Sequence, residues 1–130
     1  MNYLLDTHIA LWLIQNHEKL NKEAKSILLN PQNKIWFSVV NIWEMSIKHK
    51  KGDAQKEIIE PNLFYQSLLE RNYKQLDINA YHTLAVKDLP LIHKDPFDRM
   101  LIAQAMSENL ILMTADEKIE QYPNLNLYMI

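Results

Sequence analysis

Three short apolar segments constrain the fold of this chain more than any other feature: Tyr3-Leu4-Leu5, Ile35-Trp36-Phe37 and Leu110 to Met113. Each is too short to be an amphipathic helix, and none shows the polar alternation of a strand with one wet face. They read as buried strands, and stretches with helical signals separate them. Parallel neighbours require crossover connections, so this alternation predicts an α/β chain whose central, mostly parallel sheet is covered on both faces. In such sheets ligands collect at the carboxyl ends of the strands.

The punctuation fills in the rest. A helix is expected from Thr7 to about Gln15, and a second over 21–29 stops before Pro31, which cannot continue it. Ser38 starts a helix to Lys51 that ends at Gly52, with Lys48, His49, Lys50 and Lys51 where the helix dipole favours cations. Pro61 opens a helix to about Arg71, Leu76-Asp77-Ile78 is strand-like, and 80–88 is a short helix. Pro96 sits in the first turn of a helix to about Asn109, followed by a helical turn from Asp116 to Gln121 and a last strand from Leu125 to Met129.

Length and composition exclude several classes of function. The 130 residues suit one domain, 1–130, able to bury a core without disulfides, and the absence of cysteine removes thiol nucleophiles and thiolate-bound metals. The longest apolar run, Ile9 to Ile14, is far short of a membrane span, and the first basic residue is Lys19, so the chain reads as cytoplasmic with no membrane partner. The formal charge of −2, from 14 basic and 16 acidic residues, is not the broad positive field of a protein that grips nucleic acid by electrostatics alone. A polyanionic partner would need local cations or a bound metal.

Four acids occupy informative places. Asp6 follows the first strand, Asp116 lies three residues beyond Met113, and Asp98 is in the first turn of the helix opened by "HKDPFDRMLIAQA". Parallel strands would send all three to one rim. Asp6 and Asp116 also suit helix N-caps, and Asp95 suits the cap of the helix that Pro96 opens. Glu44 falls at the border of the apolar arc Val39, Val40, Trp43 and Ile47, where an ion pair with Lys48 at i+4 is the simpler role. Convergence of the four would cost roughly 2–4 kcal/mol per close pair at an effective dielectric near 20. Unless protonated, they need a cation, and an all-oxygen set suits a hard divalent ion, Mg²⁺ or Mn²⁺, that works on phosphate.

The segments "LLDTHIALWL", "SVVNIWEMSIK", "KDPFDRMLIAQA" and "LMTADEKI", in that order, resemble the four acidic blocks of PIN-domain ribonucleases, and in particular of VapC-type toxins from type II toxin–antitoxin pairs. The resemblance implies a PIN-like three-layer α/β/α fold and a metal-dependent endoribonuclease. Asp6, Glu44, Asp98 and Asp116 match the family's acids, which bind Mg²⁺ or Mn²⁺ and activate a water that attacks an RNA phosphodiester. Thr114 matches a hydroxyl residue near the fourth acid, able to orient a water or a phosphate or simply to end a strand. Asp95 and Arg99 flank Asp98, Asp95 as a cap first and a ligand second, Arg99 as an ion-pair partner or phosphate contact. Thr7 supports the first helix turn. A cognate, VapB-like antitoxin and a homodimer are implied as partners beside the RNA.

Phosphate contacts would fall to Lys48 through Lys51, Lys94 and Arg99, although helix-end solvation also explains the run at 48–51. His8, His82 and His93 have no partner at metal spacing and read as packed or half-exposed, and Trp12, Trp36 and Trp43 read as core. A haloacid-dehalogenase-type phosphatase would need an aspartate where His8 stands. A receiver-like or otherwise protein-binding module would use the same acids without cleavage, but no lysine follows the late strand as a receiver needs. A catalytically silent PIN relative is the remaining alternative.

Overall fold

The computed structural model describes residues 1–51 and 58–130; Gly52, expected to end a helix, and Asp53 lie outside the described residues. Its sheet has five strands, β1 (Asn2–Leu5), β2 (Lys34–Ser38), β3 (Lys74–Leu76), β4 (Ile111–Thr114) and β5 (Leu127–Met129). They lie in the order β3-β2-β1-β4-β5, and every pair is parallel. The chain builds outward from β1 to β3 and then crosses back to β4 on the other side, so the order reverses between β1 and β4. The crevice at that reversal, at the carboxyl edge, is where open α/β sheets bind ligands.

The helices are α1 (Thr7–Gln15), α2 (Lys22–Leu29), α3 (Val39–Lys50), α4 (Pro61–Glu70), α5 (Ala80–Ala85), α6 (Pro96–Glu108) and α7 (Glu117–Glu120). Period-two alternation divides the strands between two cores. Tyr3, Leu5, Ile35, Phe37 and Met113 pack with Ile9, Ala24, Leu28, Phe64 and Leu68 from α1, α2 and α4. Leu4 and Leu112 face the other way, onto Leu101, Ile102 and Ala105 of α6 and Ile119 of α7. Each fully buried Leu or Ile contributes roughly 1.5–3 kcal/mol over leaving it exposed. The expected sheet covered on both faces is therefore present.

Several boundaries differ from the sequence reading: the last strand begins at Leu127 rather than Leu125, and β4 is shifted by one residue to Ile111–Thr114. The third strand is Lys74–Leu76 rather than 76–78, because its parallel register pairs Trp36 with Lys74 and Ser38 with Leu76 at the sheet edge, where polar side chains are tolerated. The helix expected over 80–88 ends at Ala85, and Val86–Asp88 tightens into a 3₁₀ turn. With a single glycine in the sequence, asparagine takes over the left-handed positions that end helices: Asn16 (φ 51°) after α1 and Asn109 (φ 55°) after α6.

Candidate metal centre

The site begins at the crevice between β1 and β4. Leu5 pairs with Met113, so Asp6 and Thr114 leave the sheet side by side. The Asp6 N–H donates to the Met113 carbonyl at 3.0 Å, and the Thr114 hydroxyl donates to Asp6 Oδ2 at 2.6 Å. Asp6 is 4 % exposed and makes no side-chain capping bond to α1, so its carboxylate serves the crevice and not the helix. Burial pushes its carboxyl above the usual range, an effect only partly offset by the Thr114 hydroxyl.

The neighbouring helix is fixed to β1 from below. Ser38 ends β2 and caps α3: its hydroxyl accepts from Val40 N–H at 3.0 Å, while Asn41 Oδ1 accepts from Ser38 N–H at 2.7 Å. Asn41 Nδ2 then donates to the Leu5 carbonyl at 3.2 Å and to Thr7 Oγ1 at 2.9 Å. Thr7 is the first residue of α1, and its hydroxyl ties that helix to α3. Asn41 was not singled out by the sequence reading, though its place three residues after a serine cap was a visible sign.

This clamp aims Glu44 inward. The buried face of α3 is Val40, Asn41, Glu44 and Met45, so Glu44 lies within the covered arc rather than at its border, while Trp43 is 48 % exposed and turned out of the core, edge-on to Phe97 at a ring separation of 4.7 Å. The expectation that Trp43 is core is thus corrected. The i+4 pair with Lys48 is present, with Nζ 2.7 Å from Glu44 Oε2. Burial works to lower the Lys48 ammonium, but the hydrogen bond and charge of Glu44, with the charges of Asp95 and Asp98, hold it above its ordinary value. Glu44 Oε1 is buried without a hydrogen-bond partner, a deficit that costs roughly 1–3 kcal/mol unless something fills it.

The remaining acids arrive from α6 and α7. Asp95 caps α6, accepting from Phe97 N–H at 2.8 Å and Asp98 N–H at 3.3 Å. Burial, followed by the charges of Asp6, Asp95, Glu44 and Asp116, pushes the Asp98 carboxyl up to about 8. Asp6 and Glu44 thus act on Asp98 as nearby charges, whereas Asp116 comes within ligand distance of it. Asp116 caps α7 through Lys118 N–H at 2.9 Å, and its own N–H donates to Thr114 Oγ1 at 3.0 Å. Partial burial would raise Asp116, but the His93 hydrogen bond and the Lys118 N–H outweigh it, and its carboxyl lies below the usual range.

His93 is the member that sequence reasoning set aside. Its Nε2 lies 2.8 Å from Asp116 Oδ2 and 3.0 Å from Asp98 Oδ2, and the three side chains offer ligand atoms all within 4.8 Å of one another. Its position five residues before Asp98, in the loop entering α6, was the available signal. Residues 3–125 match the sequence pattern of the PIN domain.

The chain belongs to the PIN-domain family. No curated relative matches it. Among solved structures, this PIN domain is similar to a chain of VapBC2 from Rickettsia felis bound to a DNA fragment from their promoter, with TM-score 0.75, 21 % identity and coverage of 100 % of this chain and 99 % of that one. It is also similar to a chain of the DNA-bound VapBC from Salmonella typhimurium, with TM-score 0.72, 17 % identity and coverage of 99 % and 98 %. VapBC-1 from nontypeable Haemophilus influenzae matches at TM-score 0.66 and 23 % identity over 99 % of this chain and 98 % of that one.

The other expected contacts are distributed unevenly around the PIN-domain crevice. Arg99 does not pair with the acids: Nη1 donates to the Pro90 carbonyl at 2.8 Å and Tyr122 Oη at 3.2 Å, and Nη2 to the Val86 carbonyl at 3.2 Å. Its planar fork fastens the 86–93 loop, which corrects the reading as an ion-pair partner and leaves little of it for a phosphate. Lys94 is exposed and borders a cavity of about 400 Å³ beside Trp43, Pro96 and Met100. His8 is exposed at the crevice, bordering a cavity of about 300 Å³ with Asp6, Trp12, Lys19 and Asp116. His82 is packed as expected, fully buried with Nε2 2.8 Å from Glu108.

Thr114 links two acids, so its hydroxyl can be tested. Thr114→Val leaves Asp6 Oδ2 and the Asp116 N–H short of a partner and is expected to lower stability by about 1–3 kcal/mol, read as a lower urea midpoint at unchanged slope.

Proposed function

We propose that this chain is a VapC-type toxin, a divalent-metal-dependent endoribonuclease that an antitoxin holds in check. The observation that carries the reading is the gathering of acids at the carboxyl edge: the Thr114 hydroxyl ties Asp6 to Asp116, and Asp116 and Asp98 meet at His93, with the charge of Glu44 close enough to act on Asp98. Such a cluster fits a cation, and the unpartnered buried Glu44 Oε1 has a lone pair free to donate to it. Asp6, Glu44, Asp98 and Asp116 would hold Mg²⁺ or Mn²⁺, with Asp95 primarily the cap of α6. When bound, such an ion offsets phosphoryl charge and lowers the pKa of water beside it.

The protein's own residues do the positioning. Thr114 aligns Asp6 and Asp116, and Asn41 locks α3 against β1 so that Glu44 keeps its aim. Lys48, already beside the acids, and exposed Lys94 supply the local positive charge that a chain of net charge −2 needs to meet a polyanion. Single-stranded or loop RNA is the form we propose for the substrate, and Lys19 also borders the cavity beside Asp6 and Asp116.

The VapBC complexes from Rickettsia felis and Salmonella typhimurium support an antitoxin partner for this chain, and we propose a homodimer beside it. Among the described residues no helix is long and apolar enough to cross a membrane. A toxin that acts on cellular RNA would work in the cytoplasm, which is the location we propose. Total RNA incubated with the purified protein is expected to be cut in the presence of Mn²⁺, spared by a chelator and cut again when metal is restored in excess. Transfer, ribosomal and messenger RNA left intact with Mn²⁺ present would overturn the enzyme reading.

A further inference from the structure

We infer that His93 is a positioning residue of this centre: it carries its proton on Nε2 and uses it to hold Asp116 beside Asp98, without itself ligating the ion. The inference rests on the metal-dependent reading above and assigns a role to a side chain outside the four acids.

The tautomer follows from hydrogen bonding. The Asp95 backbone N–H donates to His93 Nδ1 at 3.1 Å, so Nδ1 presents its lone pair and the ring proton sits on Nε2. That proton faces Asp116 Oδ2 at 2.8 Å, with Asp98 Oδ2 at 3.0 Å. A ligating imidazole would need the reverse, a lone pair on Nε2 and a proton on Nδ1. The second proton would then meet the Asp95 N–H head-on. The backbone of α6's cap thereby selects the donor tautomer and rejects the ligand one.

The ring is also held in place by its loop. The His93 N–H donates to Tyr122 Oη at 2.8 Å, and Arg99 Nη1 lies 3.2 Å from the same oxygen and 3.4 Å from the His93 carbonyl. Arg99 and Tyr122 thus act on the centre through His93. Asp116 is the acid that most needs such a tie. Its side chain is 33 % exposed against 13 % for Asp98, and it comes from a four-residue helix whose cap uses its other oxygen, Oδ1.

The test compares wild-type protein with His93→Ala and His93→Gln, the glutamine amide restoring an N–H at comparable reach. Binding of Mn²⁺ and of Mg²⁺ is measured by calorimetry, and RNA cleavage is measured as a function of metal concentration. In His93→Ala, both ions are expected to bind about 10–100-fold more weakly, and cleavage to recover as metal is raised. His93→Gln is expected to recover most of the affinity. Three results would overturn the role: His93→Ala binding metal as the wild type does, His93→Gln as weak as His93→Ala, or a loss confined to Mn²⁺, whose borderline character would mark the ring as a ligand. Wild-type protein that binds no divalent ion and cuts no RNA would instead overturn the metal-dependent reading itself.

Discussion

Asp6→Asn protein is expected to fold as the wild type does and to lose RNA cleavage by roughly three orders of magnitude, the loss of about 4 kcal/mol of transition-state stabilisation. The two halves of that expectation have separate causes. Asp6 is 4 % exposed and its carboxyl is pushed upward by burial, so its charge is held at a cost in the folded protein. An amide of the same shape still accepts from Thr114 through its carbonyl oxygen and removes that cost, leaving stability within about 1 kcal/mol of wild type or above it. The charge itself is what a metal and a phosphodiester need. Thermal melting beside a cleavage assay with Mn²⁺ separates the halves, and a variant that melts early would mark Asp6 as structural.

The second large effect links pH and metal. Asp98, ordinarily near 3.8, is pushed up to about 8, so the folded protein holds a proton that the unfolded chain releases at much lower pH. For a group raised on folding, the stabilisation is complete below the unfolded value and is lost as pH rises through the folded one. Metal-free protein should therefore lose stability from about pH 4 to pH 8 through Asp98, with Asp6 acting in the same direction. Asp116 is shifted downward and acts oppositely, its contribution lost only as pH falls through the acid range below that window. Mn²⁺ replaces the proton, so the metal-induced rise in Tm should grow with pH. At a hundredfold excess over Kd the gain is about 2.7 kcal/mol, roughly 10 °C for a domain of this size. A rise independent of pH between 5 and 8 would separate the metal site from Asp98.

The parts of this picture that the sequence made legible are those with local causes. Short apolar strands, Pro96 at the start of α6 and Ser38 before α3 each act within a few residues, and the elements they predict are present. The rim position of the acids followed from strand direction alone. Less visible was what depends on contacts between distant segments. Helical periodicity placed Glu44 at the edge of an apolar arc and Trp43 inside it, whereas the packing of α3 turns Trp43 onto Phe97 and buries Glu44. Arg99 shows the same limit, since the carbonyls that claim its guanidinium belong to a loop with no periodic signal. His93 looked like an isolated histidine because its carboxylate partners are five and twenty-three residues away in sequence, and only the return of β4 beside β1 brings the farther one near.

Crystals grown with millimolar Mn²⁺ and measured for anomalous scattering give the most direct reading of the centre. The manganese peak is expected in the crevice between β1 and β4, within about 2.4 Å of carboxylate oxygens from at least two of Asp6, Glu44, Asp98 and Asp116. A well-ordered crevice with no peak, or manganese bound only elsewhere on the surface, would contradict the account.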